Sequence, residues 1–411
     1  MILRAFLKSP SLRAALALGC GGIAFTLSNL LFARELSSGE YGLLLLFIGI
    51  LSVAMLGAPL GLDQIVARRG LPFGPYLRRW ALAACVLTGV LTAIVAALVY
   101  DLSAGMLIAL AVATAATGAC LAVVAHFQGQ RQFGIASWLL QIMPNMALAP
   151  VALLAMIPSF RSASTLSGLL AGAGLICFAG TWYLVVNRQR TAPSPPRFIA
   201  LWREALSLVG ITMASAVFLQ LERLVLVPTV GVHDLALYGV VASLVGSPFR
   251  MIQSAVLFTL IPEMRAAQGV RTRRRLLARE IGIVSAGLAC GAVILWLIAP
   301  PIAHWFLDGR YDLSDALMLA AIVSGLLKVC SAFATSIVVA LGDEKDLRHI
   351  GLSAWSSVIL ACAGAFIAAP WGLTGVLYGI SAGWLVRTLA AVWVAVPHLL
   401  HGRGNLPYPV R

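Results

Sequence analysis

Charge is what this sequence has least of. Only 11% of its 411 residues are charged and only 15 are acidic, where an ordinary soluble domain carries about 25% charged residues. Apolar residues make up 61%, with a mean hydropathy of +0.96. A water-soluble core of this length cannot hide that much apolar surface, so the surrounding solvent is lipid. Metal and disulfide signatures are missing as well. The seven cysteines (Cys20, Cys85, Cys120, Cys177, Cys290, Cys330, Cys362) contain no CxxC pair and fall inside apolar stretches, which indicates neither a disulfide framework nor a metal site. The six histidines (His126, His233, His304, His349, His398, His401) are scattered near the ends of those stretches without metal-ligand spacing. No cofactor is called for.

What the chain does have is length in apolar runs. A helix rises about 1.5 Å per residue, so about 20 residues cross a hydrocarbon layer of about 30 Å. Twelve such stretches can be marked, from Ala14 to Phe32 at the start to Leu373 to Val396 at the end. The fourth and fifth, and the eleventh and twelfth, have the least definite edges. Gly19-Cys20 resembles a lipoprotein cleavage site, but the apolar run continues for a dozen residues beyond it, which favours a spanning helix. With the N-terminus inside, 22 of the 29 basic residues fall on inner loops and only Arg34, Arg161 and Arg310 on outer ones, so both termini are expected in the cytoplasm of a bacterial inner membrane. The same dispersal accounts for the net charge of +14: these arginines sit beside anionic headgroups and do not form one nucleic-acid-binding face.

The longest polar interruption is NRQRTAPSPPRFIALWRE, Asn187 to Glu204, stiffened by Pro193, Pro195 and Pro196. It divides the chain into a six-helix lobe over 1–186, a cytoplasmic linker over 187–204, a second six-helix lobe over 205–398 and a short tail over 399–411. The halves carry a faint repeat. EYG at Glu40 to Gly42 opens the second span and LYG at Leu237 to Gly239 opens the eighth. These spans end near Arg68 and Arg265, at the same offset as the Tyr-Gly pairs. Six spans return the chain to its starting side, so the repeat would be parallel. ARELSSGEYG, residues 33 to 42, is a short outer turn. It forces the first two helices side by side, with Ser37 or Ser38 and Glu40 as the cap of the second.

NLLFARELSSGEYGLLLLFIGILSVAMLGAPLGLDQIVAR, Asn29 to Arg68, resembles the start of the Wzx-type polysaccharide flippases, which belong to the multidrug/oligosaccharidyl-lipid/polysaccharide exporter superfamily. LERLVLVPTVGVHDLALYGVVASLVGSPFRMIQSAVLFTLIPEMRAAQG, Leu221 to Gly269, resembles the start of that family's second half, and FLDGRYDLSDALML and ALGDEKDLRHIGL fit its later hairpins. The resemblance implies an all-α polytopic transporter of about 12 transmembrane helices, in two six-helix lobes around a central cavity, that alternates between inward-open and outward-open states. Relatives often place an aspartate before the arginine of the seventh helix, where this chain has Glu222.

Four basic residues remain inside spans: Arg223, Arg250, Lys328 and Arg387, all in the second half. A charge at the centre of a spanning helix costs about 2.5 to 3.5 kcal/mol on an insertion scale, a cost that a water-filled cavity largely removes. Lys328 and Arg387 fall near the midpoints of the tenth and twelfth spans and Arg250 slightly inward of the middle of the eighth. These are the candidate ligands for an anionic substrate; pairing between helices is the structural alternative. Arg223 lies about one turn from the outer end of the seventh span, where it can also snorkel to water. Glu222 is the one acid well within a span and is a candidate for proton or sodium coupling. On the fifth span Trp138, Gln141 and Asn145 recur at i, i+3 and i+7, a face suited to sugar hydroxyls and equally to hydrogen bonding between helices.

These residues point to a flippase for a polyprenyl-diphosphate-linked glycan, with membrane lipids around it and a polysaccharide polymerase and glycosyltransferases as possible partners. A multidrug or peptidoglycan-precursor exporter of the same superfamily is the alternative. A membrane glycosyltransferase or polymerase fits less well, because no outer loop exceeds about a dozen residues and the first holds only Glu35 and Glu40 as acids.

Overall fold

The computed structural model describes residues 10–130, 132–188 and 198–401. Residues 189–197 of the expected linker, 402–411 of the expected tail and Arg131 lie outside the described residues. Among those described, all regular structure is helical and no strand occurs. Among the described residues nine segments are long and apolar enough to cross a membrane, and the last of them, Lys345–Leu400, contains two helices. Adding the 26-residue first helix and the broken fifth span brings the described residues to the twelve spans expected from sequence. The chain is therefore an all-α polytopic membrane protein. It divides into two compact units, 1–239 and 240–411.

The first unit opens with α1 (Pro10–Glu35) and α2 (Ser38–Gly57). Ser37 caps α2 by accepting a hydrogen bond from the Glu40 amide, and Glu40 stands in the first turn, where the helix dipole favours an acid. The rest of that polar turn ties other loops to it. The Glu35 carboxylate takes the Arg161 guanidinium at 2.5 Å, the Glu40 carboxylate accepts from the Ala163 amide, and Ser38 Oγ meets His233 Nδ1 at 2.8 Å. Arg161 also donates to the Met156 carbonyl, so it is a built element of this face.

Past Gly57 the backbone breaks at Pro59, Leu60 and Gly61 before α3 (Leu62–Arg69) resumes. Gly61 has φ 79° and its Cα lies against the Ala205 carbonyl, which a Cβ would approach to 2.1 Å, so both conformation and space require glycine there. α4 (Pro75–Val99) and α8 (Ala163–Arg188) pack on α5 (Ala104–Gly129), which starts at the Ser103 cap and runs through alanines, threonines and Gly118. These small residues let the helices approach: a Cβ on Gly118 would lie 2.3 Å from that of Ala58.

The fifth span is split into α6 (Phe133–Gln141) and α7 (Leu148–Leu154) by a π turn at Ile142–Met146, which contains Pro144. Proline has no N–H to give the preceding turn, and a widened turn absorbs the loss. α9 (Phe198–Val230) begins inside the stretch expected as linker and packs on α2 and α3. α10 (Val232–Val241) follows Gly231. The two Tyr-Gly pairs of the sequence repeat meet here. A Cβ on Gly239 would strike Leu45 and the Tyr41 hydroxyl, and one on Gly42 would strike the Val232 carbonyl. Tyr41 and Tyr238 are both buried, so these tyrosines take part in close packing.

In the second unit a π turn at Ala242–Gly246 leads into α11 (Ser247–Ala266), then α12 (Val270–Phe306), α13 (Asp315–Leu341), α14 (Glu344–Ala368) and α15 (Gly372–His401). Ser314 caps α13. Asp343 and Asp346 form a reciprocal capping box at the start of α14. His398 Nε2 reaches Asp346 Oδ2 at 2.8 Å, joining the two ends of the α14/α15 hairpin. The seam between these helices is glycine on glycine: Cβ atoms on Gly364 and Gly379 would each lie within 2.6 Å of the other's carbonyl oxygen, and Gly383 rests on Ala361.

Candidate functional site

The second unit places two cations around one indole. Lys328 stands near the middle of α13 and Arg387 near the middle of α15, and the two helices pack side by side. Trp384 precedes Arg387 by three residues, so both point to the same face of α15. The Arg387 guanidinium carbon lies 5.5 Å from the Trp384 ring centroid and the Lys328 ammonium 5.8 Å from it. Both distances lie within the range in which the negative ring face attracts a cation. Trp384 is 2% exposed and Arg387 9%, while Lys328 is half-buried. Thr388 continues the seam, donating its hydroxyl to the Trp384 carbonyl at 2.8 Å.

The sequence of this unit supplies no carboxylate at that depth. α13 has only Asp315, in its first turn, and no acid follows Asp346. Cations at mid-helix face a low-dielectric interior, where an indole face offers attraction without a second buried ion. Two cationic side chains in one place offer charge-assisted hydrogen bonds to an anionic group.

Arg250 is the fourth residue of α11 and is half-buried. The neighbouring Phe249 ring packs on Gly325, where a Cβ would come within 2.5 Å of it. Gly325 lies one turn before Lys328, so that contact registers the start of α11 against the Lys328 turn of α13.

Glu222 and Arg223 lie in the first unit, on α9, and are 1% and 2% exposed. The Arg223 guanidinium sits 5.3 Å over the Phe25 ring and its stem packs on Gly49 of α2. The water access that snorkelling requires is therefore absent for Arg223; its charge is housed inside the helix packing. On the fifth span the Asn145 amide donates to Gln141 Oε1 at 2.5 Å, and Gln141 is packed against Gly21 of α1. These amides serve each other within the π turn and the turn before it. Trp138 remains 38% exposed.

Two residues had no place in the sequence reading. Trp384 was one apolar residue among many, although an aromatic three residues before a mid-span arginine is a usable signal. The other is Asp63, in the first turn of α3 and beyond the observed span Ser38–Gly57. Its Oδ1 is sealed from solvent and accepts no hydrogen bond. Burial pushes its carboxyl up from 3.8 to about 6, against the lowering effect of the Gln64 and Asp63 backbone amides. The backbone break at Pro59 to Gly61, followed by an acid at a helix start, was the available signal.

No protein-family model matches this sequence, and no curated protein matches it. Solved structures do match its fold. The chain is 13% identical to a multidrug resistance MATE family transporter of the MOP superfamily in its outward-facing conformation, over 95% of this chain and 96% of that one, with a TM-score of 0.61. An inward-facing structure of such a transporter matches at 0.53 and 13% identity, over 94% and 98% of the two chains. A MOP superfamily transporter from Pyrococcus furiosus, for which a reversed polarity of the binding pocket is described as suggesting a different function, matches at 0.58 and 16% identity over 95% of each. At these identities the likeness establishes the fold, which is that of the MATE transporters of the MOP superfamily.

Proposed function

We propose that this chain is a flippase that carries a polyprenyl-diphosphate-linked oligosaccharide across a bacterial inner membrane for polysaccharide or lipopolysaccharide assembly. Both termini are cytoplasmic in this reading. The two six-helix lobes, 1–186 and 205–398, joined by the linker 187–204, provide alternating access. A polymerase and glycosyltransferases are the enzymes that would consume and supply the lipid-linked glycan. The observation that carries the proposal is the convergence of Lys328 and Arg387 on Trp384 inside spanning helices. A diphosphate must leave water to cross, and charge-assisted hydrogen bonds to fixed cations replace part of its hydration. Arg250 and Arg223 are further candidate cations for an anionic substrate. Glu222 is the candidate for ion coupling, and the face carrying Trp138, with Gln141 and Asn145 behind it, the candidate for sugar contact.

The solved neighbours give a second reading, export of drugs, a specific observation in its favour, because their MATE members are multidrug transporters. The sign of charge separates the two. A pocket for organic cations calls for acids, and at mid-depth the second unit's sequence supplies bases. The test is export of lipid-linked glycan by cells carrying Arg250→Ala, Lys328→Ala and Arg387→Ala together. The triple variant at normal membrane level should lose export, and Arg250→Lys alone should keep only part of what Arg250→Ala loses, since a planar guanidinium holds two phosphate oxygens and an ammonium does not. Wild-type glycan export from the triple variant sinks the proposal, and a gain of drug sensitivity with glycan export intact moves the protein to the second reading.

A further inference from the structure

α12 begins with the densest basic stretch of the chain. VRTRRRLLARE, Val270 to Glu280, holds five arginines and one acid, and Arg273 to Arg275 is the longest run of adjacent basic residues. At about 1.5 Å per residue the 37 residues of α12 measure about 55 Å, whereas a bilayer with its headgroups is about 40 to 45 Å thick. The apolar part starts at Ile281, so the surplus is the basic start, which stands in and beyond a headgroup layer.

Two of the five arginines fasten the helix to the second unit. Arg273 is buried and its Nε donates to the Ala267 carbonyl at 3.0 Å, and Arg274 Nε donates to the Leu399 carbonyl near the end of α15 at 2.8 Å. The other three, Arg271, Arg275 and Arg279, recur at every fourth residue along one face and are exposed. The electrostatics of this start are unfavourable by themselves. Like charges four residues apart repel, and arginines in the first turn oppose the positive end of the helix dipole. α12 has no acid in its first turn and no side-chain cap at Gly269, where α2, α5, α13 and α14 have Ser37, Ser103, Ser314 and Asp343. Glu280 stands at neither three nor four residues from any of the five arginines, so it is no helix-surface partner for them. An anion outside the helix can supply what the helix itself does not.

We infer that Arg271, Arg275 and Arg279 form a binding face for the phosphate headgroups of anionic phospholipids, which anchors α12 to the membrane surface. The arginine stripe runs straight into an apolar one: Ile283 continues the four-residue spacing and is exposed, and only 6% of the apolar window of α12 is buried. A phospholipid satisfies both parts at once, its acyl chains covering the apolar flank and its phosphate taking the guanidinium forks. A soluble anion or an acidic protein answers only the first. A helix with so little packing depends on such anchorage more than its neighbours do. Each basic residue near an anionic surface strengthens attachment about fivefold. This role is independent of the cargo.

The experiment uses the purified full-length chain in neutral detergent, titrated with phosphatidylglycerol or with phosphatidylcholine of the same acyl chains. Retained lipid is counted by native mass spectrometry and stability is read as melting temperature. Wild type should retain phosphatidylglycerol in preference and melt several degrees higher with it, an effect that shrinks as salt is raised. Arg271→Gln, Arg275→Gln, Arg279→Gln together should weaken that binding at least tenfold and abolish the rise in melting temperature. Arg68→Gln, Arg69→Gln, Arg79→Gln, which removes the same charge from exposed positions of the first unit, should keep most of both. Should the first triple variant fail to fold, Arg275→Gln alone should weaken binding about fivefold, and lysine at all three positions should retain most of it. A wild type without preference for phosphatidylglycerol, or a stripe variant that keeps the preference, would overturn the inference. Equal losses in the two triple variants would overturn it as well, in favour of diffuse attraction by net charge. A rise in melting temperature reproduced by inorganic phosphate at the same concentration would replace the lipid with a soluble anion.

Discussion

Asp63 carries the prediction whose size follows most directly from the structure. The carboxyl sits at the start of α3, one oxygen sealed and without a hydrogen-bond partner, and burial raises it from 3.8 to about 6. The folded chain therefore binds the Asp63 proton more tightly than the unfolded chain does. Stability from this group is greatest below about pH 4, falls as pH rises through the interval between 4 and 6, and is flat above it. The shift corresponds to a penalty of at most about 3 kcal/mol at neutral pH, at about 1.36 kcal/mol per unit. The favourable dipole at the start of α3 already opposes it. Asp63→Asn keeps the shape and removes the ionisation. The asparagine variant should match wild type near pH 4.5 and exceed it by several degrees in melting temperature at pH 7.5, with the gap opening between those values. Thermal unfolding of both proteins across that pH range is the assay. A gap that does not change with pH, or an asparagine variant that is the less stable at pH 7.5, would show that the charged carboxylate is satisfied in the fold and refute the reasoning.

Other outcomes follow from single contacts. Ser37→Ala removes the acceptor for the Glu40 amide and should cost about 1 kcal/mol in unfolding measurements. Gly379→Leu drives a side chain into the Gly364 backbone and should prevent the α14/α15 hairpin from packing, read as loss of folded protein in the membrane. Gly42→Val should be similarly damaging, because the Val232 carbonyl occupies the space of its Cβ. Arg161→Ala should lower the melting temperature measurably, and Glu35→Ala should add little to it, since both lose the same pair. Cysteines placed at Ser38 and Arg310 should react with an impermeant reagent in intact cells while cysteines in 187–204 stay protected; the reverse pattern would invert the proposed orientation.

How much of this was legible in the sequence depends on the range of the physics involved. Span number and helix type were, because lipid imposes a length and a composition that each stretch satisfies by itself. Caps were legible for the same reason: Ser37 and Glu40 act within three residues. The breaks were half-visible. Pro144 in the fifth span was an available signal that the sequence reading did not use, and the form of the break, a π turn with Gln141 and Asn145 bonded to each other, depended on how α1 packs Gly21 against it. Extension of α9 back to Phe198 was not legible at all, because its prolines ended at Pro196 and the polar residues after them read as linker.

The site divides along the same line. Sequence alone could say that Lys328 and Arg387 sit at mid-span and must be compensated, since that is a statement about depth. It could not say by what. Compensation is a matter of which side chain stands opposite, and the structure brings Trp384 to both, a residue that hydropathy counts as ordinary membrane filling. Arg223 received a similar answer from Phe25. The recurrence of that solution in both units follows from the scarcity with which the sequence began. A chain with 29 basic and only 15 acidic residues has few carboxylates to spare for its interior. Buried arginines in such a chain can lie against aromatic faces, whose attraction is modest and leaves the positive charge in place.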